Sequence, residues 1–170
     1  MLGLFEKKKQ SRKITVENLL LENPHHEWRR SEKIYYRFFK ELLSQLDKEV
    51  FSKMNSSRQL CFLYSDGYYA STFPSDDNYH FIVIYPELLK LMRSVDNSHA
   101  FAILFHEFGH IINEDHKSMT SALEQEIKAD HFATNHGHGI ALLEFLESKP
   151  RTFDVIKRID AITKELENSH

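Results

Sequence analysis

The stretch Ala100-Phe101-Ala102-Ile103-Leu104-Phe105-His106-Glu107-Phe108-Gly109-His110-Ile111-Ile112 decides how this chain is read. Its apolar flanks predict a buried helix, and inside it stands the pattern HExxH. Residues four apart on a helix point in nearly one direction, with Cβ atoms roughly 5–6 Å apart. Two imidazoles so placed reach one zinc ion at about 2.0–2.1 Å each. Glu107 lies about a hundred degrees round the helix from His106, so it is poorly placed as a ligand. It is well placed to take a proton from a water that the ion activates. A chance match falls most often in a polar, solvated stretch. A buried helix rarely carries two histidines and a glutamate without a partner for them.

Working outward, Asp96-Asn97-Ser98 supplies a cap for this helix. Pro86 opens a shorter helix that runs to about Arg93. Before it, Tyr79 to Tyr85 is the strongest strand, with Phe81, Ile82, Val83 and Ile84 in series. Gln59 to Tyr64 and Tyr68 to Phe73 read as two more strands around a turn at Ser65-Asp66-Gly67. Further upstream, Ile34, Tyr35, Phe38, Phe39, Leu42, Leu43, Leu46 and Val50 recur at helical spacing, with Ser31 as N-cap. One long amphipathic helix over 31–55 is expected there, with a short helix at Thr15–Glu22. Downstream, a helix covers Ser121 to about Asn135 and ends at Gly137-His138-Gly139. Two more follow, about Ile140–Ser148 and Phe153–Leu166, separated by Pro150. The expected class is α+β, a small antiparallel sheet backed by helices.

A catalytic zinc usually has three protein ligands and one open position. Two residues compete for the third place. His116 follows His110 by six residues, which resembles the metzincin pattern HExxHxxGxxH with Asn113 in place of the glycine. Asn tolerates the left-handed backbone that position needs. The other candidate is Glu126, in Glu126-Ile127-Lys128-Ala129-Asp130. Glu126 and Asp130 share one helical face, so Glu126 can ligate while Asp130 accepts the second N–H of a ligand histidine.

His106-Glu-Phe-Gly-His110 followed by Glu126-Ile-Lys-Ala-Asp130-His-Phe-Ala133 resembles the gluzincin zinc peptidases. Within them the chain is similar to the group holding the CAAX prenyl proteases, the heat-shock membrane proteases and the soluble minigluzincins. The lead-in Phe81-Ile-Val-Ile-Tyr-Pro-Glu-Leu-Leu89, the tail Ala141-Leu-Leu-Glu-Phe-Leu146, Lys149-Pro150 and Arg158-Ile159 continue the likeness, which spans roughly 79–162. The resemblance implies a minimal zincin-like fold. It also implies a zinc ion on His106, His110 and Glu126, with Glu107 as general base and Arg158 as the group that stabilises the oxyanion. It further implies that the strand before the active helix, Tyr79–Tyr85, pairs with an extended substrate. Two features depart from the group: no membrane span flanks the core, and Lys149 stands where the family often has His. No Met-turn follows His116, since Met119 comes too soon. His131, His136 and His138 are oxyanion candidates by residue type alone.

The whole chain bounds the rest. Its 170 residues suffice for one domain with a core, and 41% apolar with 28% charged is ordinary for a globular protein. A net charge of −3 gives no reason to expect nucleic acid as a partner. The single Cys61 rules out an intrachain disulfide and reads as a small buried residue. That usage, with no signal-peptide pattern and no segment of roughly 18–20 apolar residues, makes a cytoplasmic protein the expectation. Lys7, Lys8, Lys9, Arg12 and Lys13 suit either a solvated terminus or an anionic membrane surface. Residues 59–170 are expected to form the peptidase domain and 1–58 a lid, a pro-segment or a helix packed on it. The function expected is a zinc endopeptidase acting on peptides or unfolded proteins, and the pattern specifies no oligomeric state. The rivals are a metzincin-type peptidase using His116, a peptidase dedicated to one regulatory partner, and a zinc-containing binding domain without turnover. Retention of Glu107 argues against the last, because a structural zinc needs no general base.

Overall fold

The computed structural model describes residues 15–23, 26, 32–65, 69–74, 79–114 and 119–168. The basic cluster at 7–13, Ser31, Asp66, Gly67 and His116 lie outside them. In chain order the elements are α1 (Val16–Glu22), α2 (Lys33–Ser44), α3 (Lys48–Met54), β1 (Gln59–Tyr64), β2 (Ala70–Pro74) and β3 (Tyr79–Ile84). They continue with α4 (Pro86–Arg93), α5 (Ser98–Ile112), α6 (Ala122–Ala133), α7 (Gly139–Glu147) and α8 (Phe153–Asn168). Among the described residues no helix is long and apolar enough to cross a membrane.

The class is α+β, but the expected antiparallel sheet is corrected. The strand order is β1-β3-β2; β1 pairs with β3 in parallel and β2 pairs with β3 antiparallel. The strands at 59–64 and 70–74 therefore do not form the hairpin their short separation suggested. The reason lies in composition. β3 carries the β-branched run Ile82-Val83-Ile84, with Ile82 and Ile84 fully buried, and it takes the centre where both of its edges are paired. β2 carries Ser71, Thr72 and Pro74, and residues of that kind suit an edge.

The single helix expected over 31–55 is also corrected, because the chain breaks at Gln45-Leu46-Asp47 into α2 and α3. Asp47, at φ −58 and ψ 148, takes a non-helical backbone at the N-cap of α3. The bend leaves Leu46 and Met54 both buried. It also lets Lys53 Nζ donate to the Ile112 carbonyl at 3.3 Å, at the end of α5.

One apolar core joins these pieces. Phe38 and Phe39 of α2 meet Phe101 of α5 and Phe62 of β1, with ring centroids 4.6 and 4.4 Å apart. Leu19, Leu20, Leu42, Leu43, Leu60, Leu88, Phe105 and Phe108 lie in the same cluster, and Cys61 is buried as its size suggests. The amphipathic pattern upstream thus packs onto the sheet and α5. Beyond α5, a capping box sets the start of α6: the Ser121 hydroxyl accepts from the Glu124 backbone N–H, and the Glu124 carboxylate accepts from the Ser121 N–H. Gly137, at φ 86, ends the helical run in the left-handed conformation that glycine adopts freely, as the sequence suggested.

Candidate metal centre

The centre is built where α5 and α6 touch. Gly109 makes that approach possible: a Cβ there would lie 2.6 Å from the Ala129 Cα, so only glycine lets the helices come this close. The contact brings Glu126 and Asp130 of α6, one turn apart, against His106 and His110 of α5. His106, Glu107 and Asp130 are buried, which is uncommon for such residues unless they are paired.

Three donors converge. His110 Nε2 lies 3.1 Å from His106 Nε2, and the Glu126 carboxylate lies 3.4 Å from His106 Nε2 and 3.5 Å from His110 Nε2. Tetrahedral donors at 2.0–2.1 Å from one ion stand about 3.3 Å apart. The spacing of this group, two imidazole nitrogens and one carboxylate, therefore fits a single divalent ion of zinc's size, and its chemistry is the donor set zinc accepts. His116, the rival third ligand, lies outside the described residues.

A second layer of charge holds the donors. Asp130 Oδ1 accepts from His106 Nδ1–H at 2.7 Å, which turns Nε2 toward the other two donors. Arg158 of α8 grips Asp130 with two bonds of 2.7 Å, from Nε and Nη2, and pairs through Nη1 with Glu126 at 2.7 Å. Burial alone would lower the His106 pKa, but the hydrogen bonds with Asp130 and Glu126 outweigh it and raise it to about 9. Burial would raise Glu126, but His106 and then Arg158 hold it down at about 2. The pocket is one that demands positive charge at the point where the donors meet.

Glu107 sits beside the donors without joining them. The Thr72 hydroxyl of β2 donates to its carboxylate at 2.5 Å. A cavity of about 370 Å³ opens here, lined by His106, Glu107, Arg158, Lys149, Tyr69 and Ala70 and by the apolar side chains of Ile103, Leu142, Phe145, Leu146 and Val155.

Comparison of the chain with protein-family models, with curated proteins and with solved structures finds no match. The site is therefore read from its own geometry.

Of the residues singled out in the sequence, all but His116 have a place among the described residues. His106, His110 and Glu126 come together, Asp130 backs His106, and Glu107 faces the cavity. Arg158 lines the cavity too, but each of its three nitrogens is engaged by the carboxylates of Asp130 and Glu126. The three histidines put forward by residue type stand elsewhere. His131 pairs with Glu165 at 2.7 Å, and His136 donates to the Phe132 carbonyl at 2.8 Å. The His138 ring packs on Phe105, with centroids 4.2 Å apart, and burial, with His136 nearby, lowers its pKa to about 4. Sequence reasoning missed Thr72, Tyr69 and Gly109. A glycine within a helical pattern is itself a sign of close packing, so Gly109 had a signal. Thr72 and Tyr69 had none, because only the sheet order brings β2 beside α5.

Proposed function

We propose that this protein is a zinc-dependent endopeptidase that cleaves peptides or unfolded proteins. The observation that carries the reading is the convergence of His106, His110 and Glu126, with the buried Glu107 beside them on the wall of an open cavity. A divalent ion held by those three residues supplies a Lewis acid that polarises a carbonyl and acidifies a water. The chain does the rest. Glu107 takes a proton from the attacking water and returns it to the leaving amine. Thr72 fixes the carboxylate rotamer for that transfer. Asp130 keeps His106 in the tautomer that ligates, and Arg158 holds Asp130 and Glu126 in register. A merely structural zinc needs neither a general base nor a cavity, which favours turnover over a binding role.

The substrate-binding strand differs from the one expected. β3 has β1 on one side and β2 on the other, so neither of its edges can take a peptide. β2 is the outer strand on the side of Glu107, and its outer edge pairs with no strand among the described residues. An extended peptide adding to β2 gains backbone hydrogen bonds with little demand on its sequence. That mode suits unfolded segments of many sequences.

The test is to load the purified protein with zinc, incubate it with a mixed peptide library and map the cuts by mass spectrometry. Internal cuts that stop on chelation are expected. An intact library in the presence of bound zinc contradicts the proposal.

A further inference from the structure

The cavity holds two cations, and they are treated differently. Arg158 is neutralised by Asp130 and Glu126. Lys149, which follows α7, has no carboxylate partner among the described residues. Its ammonium donates to the Tyr69 hydroxyl at 2.6 Å and lies over the rings of Tyr69 and Phe145, 3.9 and 4.1 Å from their centroids. The group is half-buried on a wall that also contains Ile103, Leu142 and Leu146. A cation placed among apolar groups is costly unless an anion meets it. Aromatic faces reduce that cost without neutralising the charge, so the ammonium stays available.

Tyr69 is held for this contact. Its backbone lies at φ 60, a region few non-glycine residues adopt. The Tyr85 N–H donates to its carbonyl at 2.8 Å and keeps it there, and its ring meets Phe145 edge to face at 5.0 Å. Strain of this kind gathers where a side chain must be aimed. Tyr69 also directly precedes β2, so a peptide lying along that strand passes the Tyr69–Lys149 pair.

We infer that Lys149, aimed by Tyr69, is the donor that meets the oxyanion formed at the scissile carbonyl, the role that the resemblance assigned to Arg158. The inference rests on the endopeptidase reading above. Peptide hydrolysis places negative charge on the former carbonyl oxygen, and a fixed cation on the wall that Glu107 shares stabilises that charge more than the neutral substrate. Lys149 is thus a catalytic residue and Tyr69 a positioning residue.

The test uses the zinc-loaded full chain and a peptide that the wild type cuts, made with a C-terminal amide and with a free C-terminus. Lys149→Met should lower kcat by about 10²–10³-fold with KM little changed on both peptides, as for loss of an oxyanion donor. Lys149→Arg should restore part of the loss, and Tyr69→Phe should give a smaller fall in kcat. Calorimetry should show weaker binding of a phosphinic analogue of the same peptide to Lys149→Met, with zinc affinity unchanged. Full turnover by Lys149→Met overturns the inference and leaves the peptidase reading intact. A loss confined to KM, and to the peptide with a free C-terminus, makes Lys149 a receptor for the substrate's terminal carboxylate and also overturns it. Should Lys149→Met not fold, an unchanged kcat in Tyr69→Phe has the same force. A wild type that binds zinc and cuts nothing removes both readings at once.

Discussion

The two edges of the sheet are finished in opposite ways. At β1 the outward backbone is closed by side chains from the upstream segment: Asn55 Oδ1 accepts from the Leu60 N–H at 3.0 Å, and His26 Nε2 accepts from the Phe62 N–H at 2.9 Å. His26 in turn donates from Nδ1 to the Leu19 carbonyl at 3.0 Å, tying α1 to the sheet. At β2 the strand instead turns a hydroxyl toward Glu107, and its outer edge has no strand partner among the described residues. An unpaired edge invites another chain. Covering one edge and leaving the other beside Glu107 directs that invitation to a single place. The comparison assigns stability to the β1 edge and chemistry to the β2 edge, and it breaks if variants on one side act as the other side should.

The largest effect belongs to the β2 side. Glu107→Gln should keep zinc and fold yet lose turnover by about 10²–10⁴-fold. Metal analysis beside a cleavage assay checks this, and undiminished turnover removes Glu107 from the mechanism. Next, Thr72→Val takes away a hydrogen bond to a charged group, worth about 1.5–3 kcal/mol, so turnover should fall roughly ten- to a hundredfold. Its denaturation midpoint should move little. A variant that unfolds but still cuts at the normal rate places Thr72 with the structural edge.

On the β1 side the smaller effect is expected in stability. Asn55→Ala leaves the buried Leu60 N–H without its acceptor, at a cost of about 1–3 kcal/mol. Urea unfolding should show that loss, while kcat and zinc affinity stay at wild-type values. A fall in kcat without a fall in stability reverses the assignment.

The remaining effect is one of pH on the metal-free protein. His106 is raised from 6.5 to about 9, so its contribution to stability is complete below pH 6.5 and is lost as pH rises through about 9. Glu126 is lowered from 4.5 to about 2, so its contribution is complete above pH 4.5 and is lost as pH falls through about 2. Between these limits, from about pH 4.5 to 6.5, both groups contribute fully. The thermal midpoint of the metal-free protein should decline from pH 6.5 to 9, whereas the zinc-loaded protein should lack that decline because the ion takes the proton's place. Parallel profiles for the two forms contradict this.

Much of the site was legible in the chain because it is local. His106 and His110 are one helical turn apart, as are Glu126 and Asp130, and spacing alone puts each pair on one face. A strand from Tyr79, Pro86 at a helix start and a further helix from about Ser121 followed from residue chemistry in the same way. What failed was non-local. Nothing in Gln59–Tyr64 or Ala70–Pro74 states that β3 inserts between them, because strand order follows from competition for the centre of the sheet. Tyr79–Ile84, expected to pair with a substrate, has both edges taken for the same reason. Lys149 and Tyr69 are 80 positions apart, and Thr72 and Glu107 are 35 apart, so neither pair leaves a spacing to read. Arg158 lines the cavity, but its engagement with two carboxylates appears only once α6 and α8 are packed.

The most direct test is the zinc content of the purified chain, measured by mass spectrometry of the metal for the wild type, Glu126→Gln and His116→Ala. One zinc ion per chain is expected in the wild type and in His116→Ala, with loss in Glu126→Gln. No zinc in the wild type, or zinc kept by Glu126→Gln and lost by His116→Ala, contradicts the centre described here.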